Sequence, residues 1–140
     1  MSDLTITNRD IWNGLAQTDP TMTPPLIRLR GLDIPIRASN NIRKIVRKAG
    51  EVFPDIGAHR DALIAKYAQR DEAGNPVTFD EGKQIALADA DAYLHDLDEL
   101  LALPVVLSDV RPVFLSEIAT SPLSADVLET LNAFLVDDLT

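Results

Sequence analysis

The stretch from Ser39 to Leu103 constrains the fold most, because it carries two apolar stripes at helical spacing on either side of a turn. The first stripe runs through Ile42, Ile45, Val46, Ala49, Phe53, Ile56, Leu63 and Tyr67. Recurrence of this kind sets one face of a helix against a core. The second runs through Ala86, Ala90, Tyr93, Leu94, Leu97, Leu100 and Leu101. Between them, Asp71-Glu72-Ala73-Gly74-Asn75-Pro76 is dense in turn formers. The pattern predicts a long antiparallel helical hairpin. Ser39 or Asn40 serves as the first N-cap. Thr78 and Glu81 match the Ser/Thr-x-x-Glu capping box and open the second helix, which Pro104 stops. Pro54 predicts either a kink or a break into helices of roughly 40–51 and 55–70.

The flanks are mixed. Leu4-Thr5-Ile6-Thr7 alternates as a short strand does, and Asn8 then caps a short helix through Ile11, Trp12 and Leu15. Asp19 to Pro25 is a breaker cluster that reads as a loop or joint. Leu26-Ile27-Arg28-Leu29-Arg30 alternates apolar and basic residues, as an edge strand would, and Ile34-Pro35-Ile36 reads as extended. Val105-Val106-Leu107 is a candidate core strand, and Val113-Phe114-Leu115 a second strand or short helix. Ser124 caps a final amphipathic helix through Val127, Leu128, Leu131, Phe134 and Leu135. The expected fold class is α+β and mostly helical: the hairpin, short β segments and a C-terminal helix. Residues 1–25 form an N-terminal strand, short helix and proline-rich joint. Residues 26–140 form a single helical-hairpin domain.

A chain of 140 residues without cysteine excludes disulfides, thiolate metal sites and a cysteine nucleophile. Its N-terminus lacks the pattern of a signal peptide, and no apolar run reaches the roughly 20 residues of a membrane span. The expectation is a soluble, cytoplasmically made protein with no membrane partner. Net charge is −9, unevenly spread. Residues 1–70 hold eleven basic and seven acidic residues, a net of +4; residues 71–140 hold two and fifteen, a net of −13. Such a split has three readings: the halves neutralise each other, the acidic half repels nucleic acid, or the basic patch recruits an anionic partner, and the first is favoured.

Catalytic signatures are absent, with no nucleophile elbow, Walker loop, dinucleotide fingerprint or zincin motif. No catalytic or cofactor-binding residue is assigned, and no cofactor. The sharpest metal candidates are two pairs at i, i+4 spacing, Asp55 with His59 and Asp91 with His95. Taking 100° per residue, the two pairs flank opposite sides of their stripes and point apart, so no metal is expected. Asp96 with Asp98 or Glu99 reads as a solvated acidic face rather than an acid/base pair. The densest basic cluster is Arg37, Arg43, Lys44, Arg47 and Lys48, with Arg28 and Arg30 upstream. Without interleaved aromatics it reads as a surface for acidic protein groups, and nucleic acid is disfavoured. Trp12 reads as an edge-of-core residue or a partner anchor. These eight residues are the partner-binding candidates.

The tract Leu63-Ile64-Ala65-Lys66-Tyr67-Ala68-Gln69-Arg70-Asp71-Glu72-Ala73-Gly74-Asn75-Pro76 resembles the layout of a family of small tailed-phage (siphophage or prophage) proteins of unknown function. So do Ile34-Pro35-Ile36-Arg37-Ala38, Leu97-Asp98-Glu99-Leu100-Leu101, Pro104-Val105-Val106-Leu107, Leu115-Ser116-Glu117-Ile118 and Leu123-Ser124-Ala125-Asp126-Val127-Leu128. The resemblance covers residues 34–135 in order and spacing, and leaves out Thr21–Arg30. It implies a non-enzymatic virion structural or assembly accessory, in the virion or the host cytoplasm. Its partners would be phage structural proteins or copies of itself. The competing expectation is an acidic phage-encoded inhibitor whose −13 half mimics nucleic acid on a host protein.

Overall fold

A computed structural model describes residues 3–17, 21–82, 84–119 and 123–138. The fold is α+β and mostly helical, in the order β1 (Asp3–Thr7), α1 (Asn8–Leu15), α2 (Pro25–Arg30), α3 (Ile36–Tyr67), β2 (Thr78–Phe79), β3 (Gln84–Ile85), α4 (Ala90–Ala102), β4 (Pro104–Ser108), β5 (Val113–Phe114), α5 (Leu115–Ile118), α6 (Ala125–Thr130), a 3-10 turn (Asn132–Phe134) and β6 (Leu135–Val136). It divides into two compact units, Met1–Phe53 with Pro104–Thr140, and Pro54–Leu103. Of the expected proline-rich joint, Asp19 and Pro20 lie outside the described residues. No helix among the described residues is long and apolar enough to cross a membrane.

The first unit holds most of the core. β1 pairs antiparallel with β4 in the register Leu4↔Leu107 and Ile6↔Val105. Leu4 and Ile6 are buried and Thr5 faces outward, the alternation their sequence predicts; in β4, read as a core strand, Leu107 is buried but Val106 faces outward. From α3, Ala38, Ile42, Ile45, Val46 and Ala49 are buried at helical spacing. Ile11, Leu26, Leu29, Val110, Val113, Ile118, Val127, Leu131 and Phe134 complete the core. Each such large apolar side chain contributes about 1.5–3 kcal/mol by leaving water.

Several local expectations are corrected. Thr7, not Asn8, is the N-cap of α1: its hydroxyl accepts from the Asp10 N–H, and Asp10 Oδ2 accepts from the Thr7 N–H at 2.9 Å. Leu26–Arg30 is helical rather than an edge strand. Pro25 takes the first turn, where its missing N–H costs nothing, and Leu26 and Leu29 turn inward three residues apart. α3 starts at Ile36, so Ser39 lies inside its first turn and bonds back to the Pro35 carbonyl at 3.0 Å. The helix is unbroken through Pro54. α6 ends at Thr130, where a 3-10 turn brings Phe134 into the core. Ser124 caps α6 through the Val127 N–H, as its position predicts.

The second unit has a thin core, with Ile56, Ala68 and Tyr93 buried. The chain leaving α3 does not turn directly into a helix at Thr78. It forms antiparallel ribbons instead, with bridges Ala68↔Leu87 and Arg70↔Pro76 and the hairpin β2–β3. Asp80, Glu81 and Gly82 all take positive φ in its turn, so the capping-box match at Thr78–Glu81 is a hairpin corner. α4 begins at Ala90, capped by Asp89 through the Ala92 N–H at 3.0 Å.

Candidate functional site

The basic cluster of α3 falls into two groups. Lys44 reaches Asp109 Oδ2 at 3.5 Å, and Lys48 donates to the Ser108 carbonyl and lies 3.4 Å from the Ser108 hydroxyl. Both therefore hold the turn that ends β4. Asp109 adopts positive φ there, and its N–H donates to Asp3 Oδ1 at 3.2 Å. Arg37, Arg43 and Arg47 are exposed and have no partner among the described residues. Arg43 and Arg47 are four apart, so they share one helix face with Asn40 between them and Arg37. Arg28 is half-buried and Arg30 exposed at the end of α2. Trp12 is half-buried, stacked on Phe53 with ring centroids 5.1 Å apart and planes 25° from parallel.

Beside this face lies an open concavity of about 500 Å³ lined by Arg37, Asn40, Asn41, Lys44, Asp109, Val110 and Arg111. The Asn41 carboxamide fastens its wall, donating to the Arg111 carbonyl at 2.8 Å and accepting from the Arg111 N–H at 3.1 Å. The Arg111 guanidinium grips Glu117 with two bonds of 2.8 Å and lies 5.1 Å from the Phe114 ring centre. That bidentate contact holds the Glu117 carboxyl below the usual carboxylate range, against the opposing effect of burial. Arg111 is thus spent on its own chain, which leaves Arg37 as the cation of this concavity without a carboxylate partner among the described residues. Such an arrangement can bind carboxylates or other anions through charge-assisted bonds.

Sequence reasoning names Lys44 and Lys48 but not their tie to Ser108 and Asp109, and it misses Asn41 and Arg111 altogether. Partners 60 to 70 residues apart leave no local signal.

Asp55, His59, Asp91 and His95, the metal candidates weighed in the sequence, all lie in the second unit. Among the described residues, the group with ligand atoms within 4.8 Å of one another is His95, Asp96 and Glu99. His59 lines an open concavity of about 520 Å³ together with Asp96 and Glu99, and His95 is not among its lining residues. Asp55 and Asp91 do not line it. Asp96 is engaged by the Tyr67 hydroxyl and lies 3.5 Å from Lys66, and His95 lies 3.2 Å from Glu99. The Tyr67 hydrogen bond lowers the Asp96 pKa and raises that of Tyr67. A cation at this cluster would compete with the Lys66 ammonium for the same carboxylate.

Scans of family models, curated proteins and solved structures find nothing that matches this chain.

Proposed function

We propose that this chain works through protein–protein contacts rather than catalysis, as a virion structural or assembly accessory of a tailed phage. The observation that carries the contact reading is the row Arg37, Arg43 and Arg47 on α3, exposed and without carboxylate partners among the described residues. Surface arginines left unpaired beside two lysines already tied to the fold form a face complementary to acidic protein groups. The phage context rests on the resemblance in residues 34–135. We also assign α3 and α4 as arms of the antiparallel hairpin, supported by the Tyr67 and Lys66 contacts to Asp96, and α6 as the C-terminal closing helix.

A second reading is supported by a different observation. Residues 54–103 hold eleven acidic and four basic residues, a net of −7 within one compact unit. That charge suits an acidic mimic of nucleic acid on a host protein.

Mass spectrometry of gradient-purified particles separates the two. A fixed copy number per particle, abolished by the pair Arg43→Glu and Arg47→Glu, is the expected result. Recovery only from the infected cell, bound to a host nucleic-acid enzyme and indifferent to those changes, would move the assignment to the mimic.

A further inference from the structure

Two exposed helix faces of this chain, one basic and one acidic, are complementary in charge and in the placing of their apolar residues. At 100° per residue, Ile36, Asn40, Arg43, Arg47 and Gly50 fall within about 40° of one line along α3, opposite the buried Ile42, Ile45 and Ala49. All five are exposed, and Ile36 is 77% exposed although it is large and apolar. On α4, Asp91, Leu94, Asp98 and Ala102 are exposed on the side away from the buried Tyr93. Leu94, between the two acids, is 53% exposed. His95 stands beside this face, 3.2 Å from Glu99. Arg43, Arg47 and Asp91 all lack a partner among the described residues.

We propose that the α3 face of one copy packs antiparallel on the α4 face of a second copy. The proposal rests on the contact reading of the arginine row and names the chain itself as the partner. Arg43 and Arg47 are four residues apart, about 6 Å along the axis, and Asp91 and Asp98 seven apart, about 10 Å. When the two pairs are centred on each other antiparallel, Arg47 comes within about 2 Å of level with Asp91, and Arg43 as close to Asp98. That offset is small for side chains as long as arginine's. The same alignment sets Leu94 between the two arginine stems, whose methylenes can cover it. It also brings Ile36 level with the Ala102–Leu103 end of α4, where Leu103 is 53% exposed. A parallel alignment on the same charges carries Ile36 past the start of α4 at Ala90 and leaves it in water. Nucleic acid would meet the arginines but leave Ile36 uncovered. One such helix pair buries little against the roughly 1,600 Å² of a standard interface, so the contact is reversible and micromolar. Each copy offers both faces, so the contact either closes reciprocally into a pair or propagates.

The test is sedimentation of the whole purified protein from about 5 µM to about 500 µM, at low and at high salt. A reversible, concentration-dependent association that weakens as salt rises is the expected result. Arg47→Glu and Asp91→Arg, each alone, should weaken it about tenfold without lowering Tm, since both residues are exposed. An equimolar mixture of these two variants should restore it, because every contact between unlike variants again sets opposite charges together. Leu94→Ser should weaken it about threefold or more through lost apolar burial. Asp55→Arg, an equal change of charge away from the α4 face, should not weaken it. A monomer throughout this range, single variants that associate as the parent does, or a mixture that stays monomeric would overturn the assignment of the chain as its own partner. A monomer whose particle incorporation is still abolished by Arg43→Glu with Arg47→Glu would overturn it in favour of another phage protein, and the contact reading would stand. Self-association that behaves as expected in a protein absent from particles would support the pairing and remove the phage reading alone.

Discussion

The side chain of Asn41 hydrogen-bonds both backbone groups of Arg111, donating to its carbonyl at 2.8 Å and accepting from its N–H at 3.1 Å. A carboxamide used this way replaces the two bonds a neighbouring strand would make. It lets a helix pair with an irregular segment that has no ladder of its own. Both groups are part-buried, so removing the amide leaves a donor and an acceptor short of water and of partners. Asn41→Ala should cost about 1–3 kcal/mol, and Asn41→Asp a similar amount because aspartate cannot donate to the carbonyl. Asn40→Ala, at an exposed neighbour, should stay within about 0.5 kcal/mol. Urea melts followed by Trp12 fluorescence report this unit, and equal effects at 40 and 41 would refute the pairing.

Acid should loosen the same region. The Glu117 carboxyl is held below its ordinary range by Arg111, and that of Asp138 by the Ser116 hydroxyl and N–H at the start of α5. A depressed carboxyl contributes stability above its unfolded pKa, and the contribution is lost as pH falls through the folded one. Stability should therefore hold from neutrality to the upper edge of the carboxylate range, about pH 5, and decline below it. Glu117→Gln should lower stability at neutral pH and flatten the acid decline, because its side chain no longer titrates. A variant that keeps the full acid slope would show that other groups cause it.

Two glycines in helices should respond oppositely to alanine. A Cβ at Gly14 would stand 2.7 Å from Leu26 Cδ1 and 2.8 Å from its Cγ, and Leu26 is fully buried. Glycine there lets α1 and α2 approach, and Gly14→Ala should cost about 1–3 kcal/mol by overpacking. At Gly50 nothing lies within 4 Å of the added atom. Gly50→Ala should stabilise α3 by about 0.5–1 kcal/mol through reduced backbone entropy in the unfolded chain. Thermal melts with both variants moving in the same direction would contradict this packing.

What could be read in advance follows from how local each signal is. The α3 stripe from Ile42 to Ala49 and the alternation in β1 are legible because no rival period fits them, whereas the continuous apolar run of β4 hides that Val106 faces outward. Ile27 and Leu29 alternate with Arg28 and Arg30 as in a strand, whereas Leu26 and Leu29, three apart, share a face only in a helix, which Pro25 at the first helical position favours. Thr78-x-x-Glu81 satisfies the capping pattern, yet Gly82 and its positive φ make the segment a corner, and the true cap Asp89 sits eight residues past Glu81. The basic cluster is visible as composition. Its division into tied lysines and unpaired arginines depends on Ser108 and Asp109, which only the pairing of β1 with β4 positions.

That division makes a graded test of α3 within four residues. Ile45 is fully buried, Lys48 is half-buried and bonded to the Ser108 carbonyl, and Arg47 is exposed and unpaired among the described residues. Ile45→Ala removes buried methylenes from a packed core and should cost about 2–5 kcal/mol. Lys48→Ala leaves a turn carbonyl to water, which satisfies it in part, so the cost should be about 0.5–1.5 kcal/mol. Arg47→Ala should change stability by less than about 0.5 kcal/mol, because no contact is lost and solvent screens the charge. The same variant should be the one that weakens partner binding, since the arginine free of the fold is the arginine available to a partner. Urea melts in the order Ile45, Lys48, Arg47, with particle incorporation reduced for Arg47→Ala and retained for Lys48→Ala, are the expected pair of results. A large stability loss at Arg47, or incorporation that follows stability alone, would mean that the α3 face serves the fold and not a neighbour.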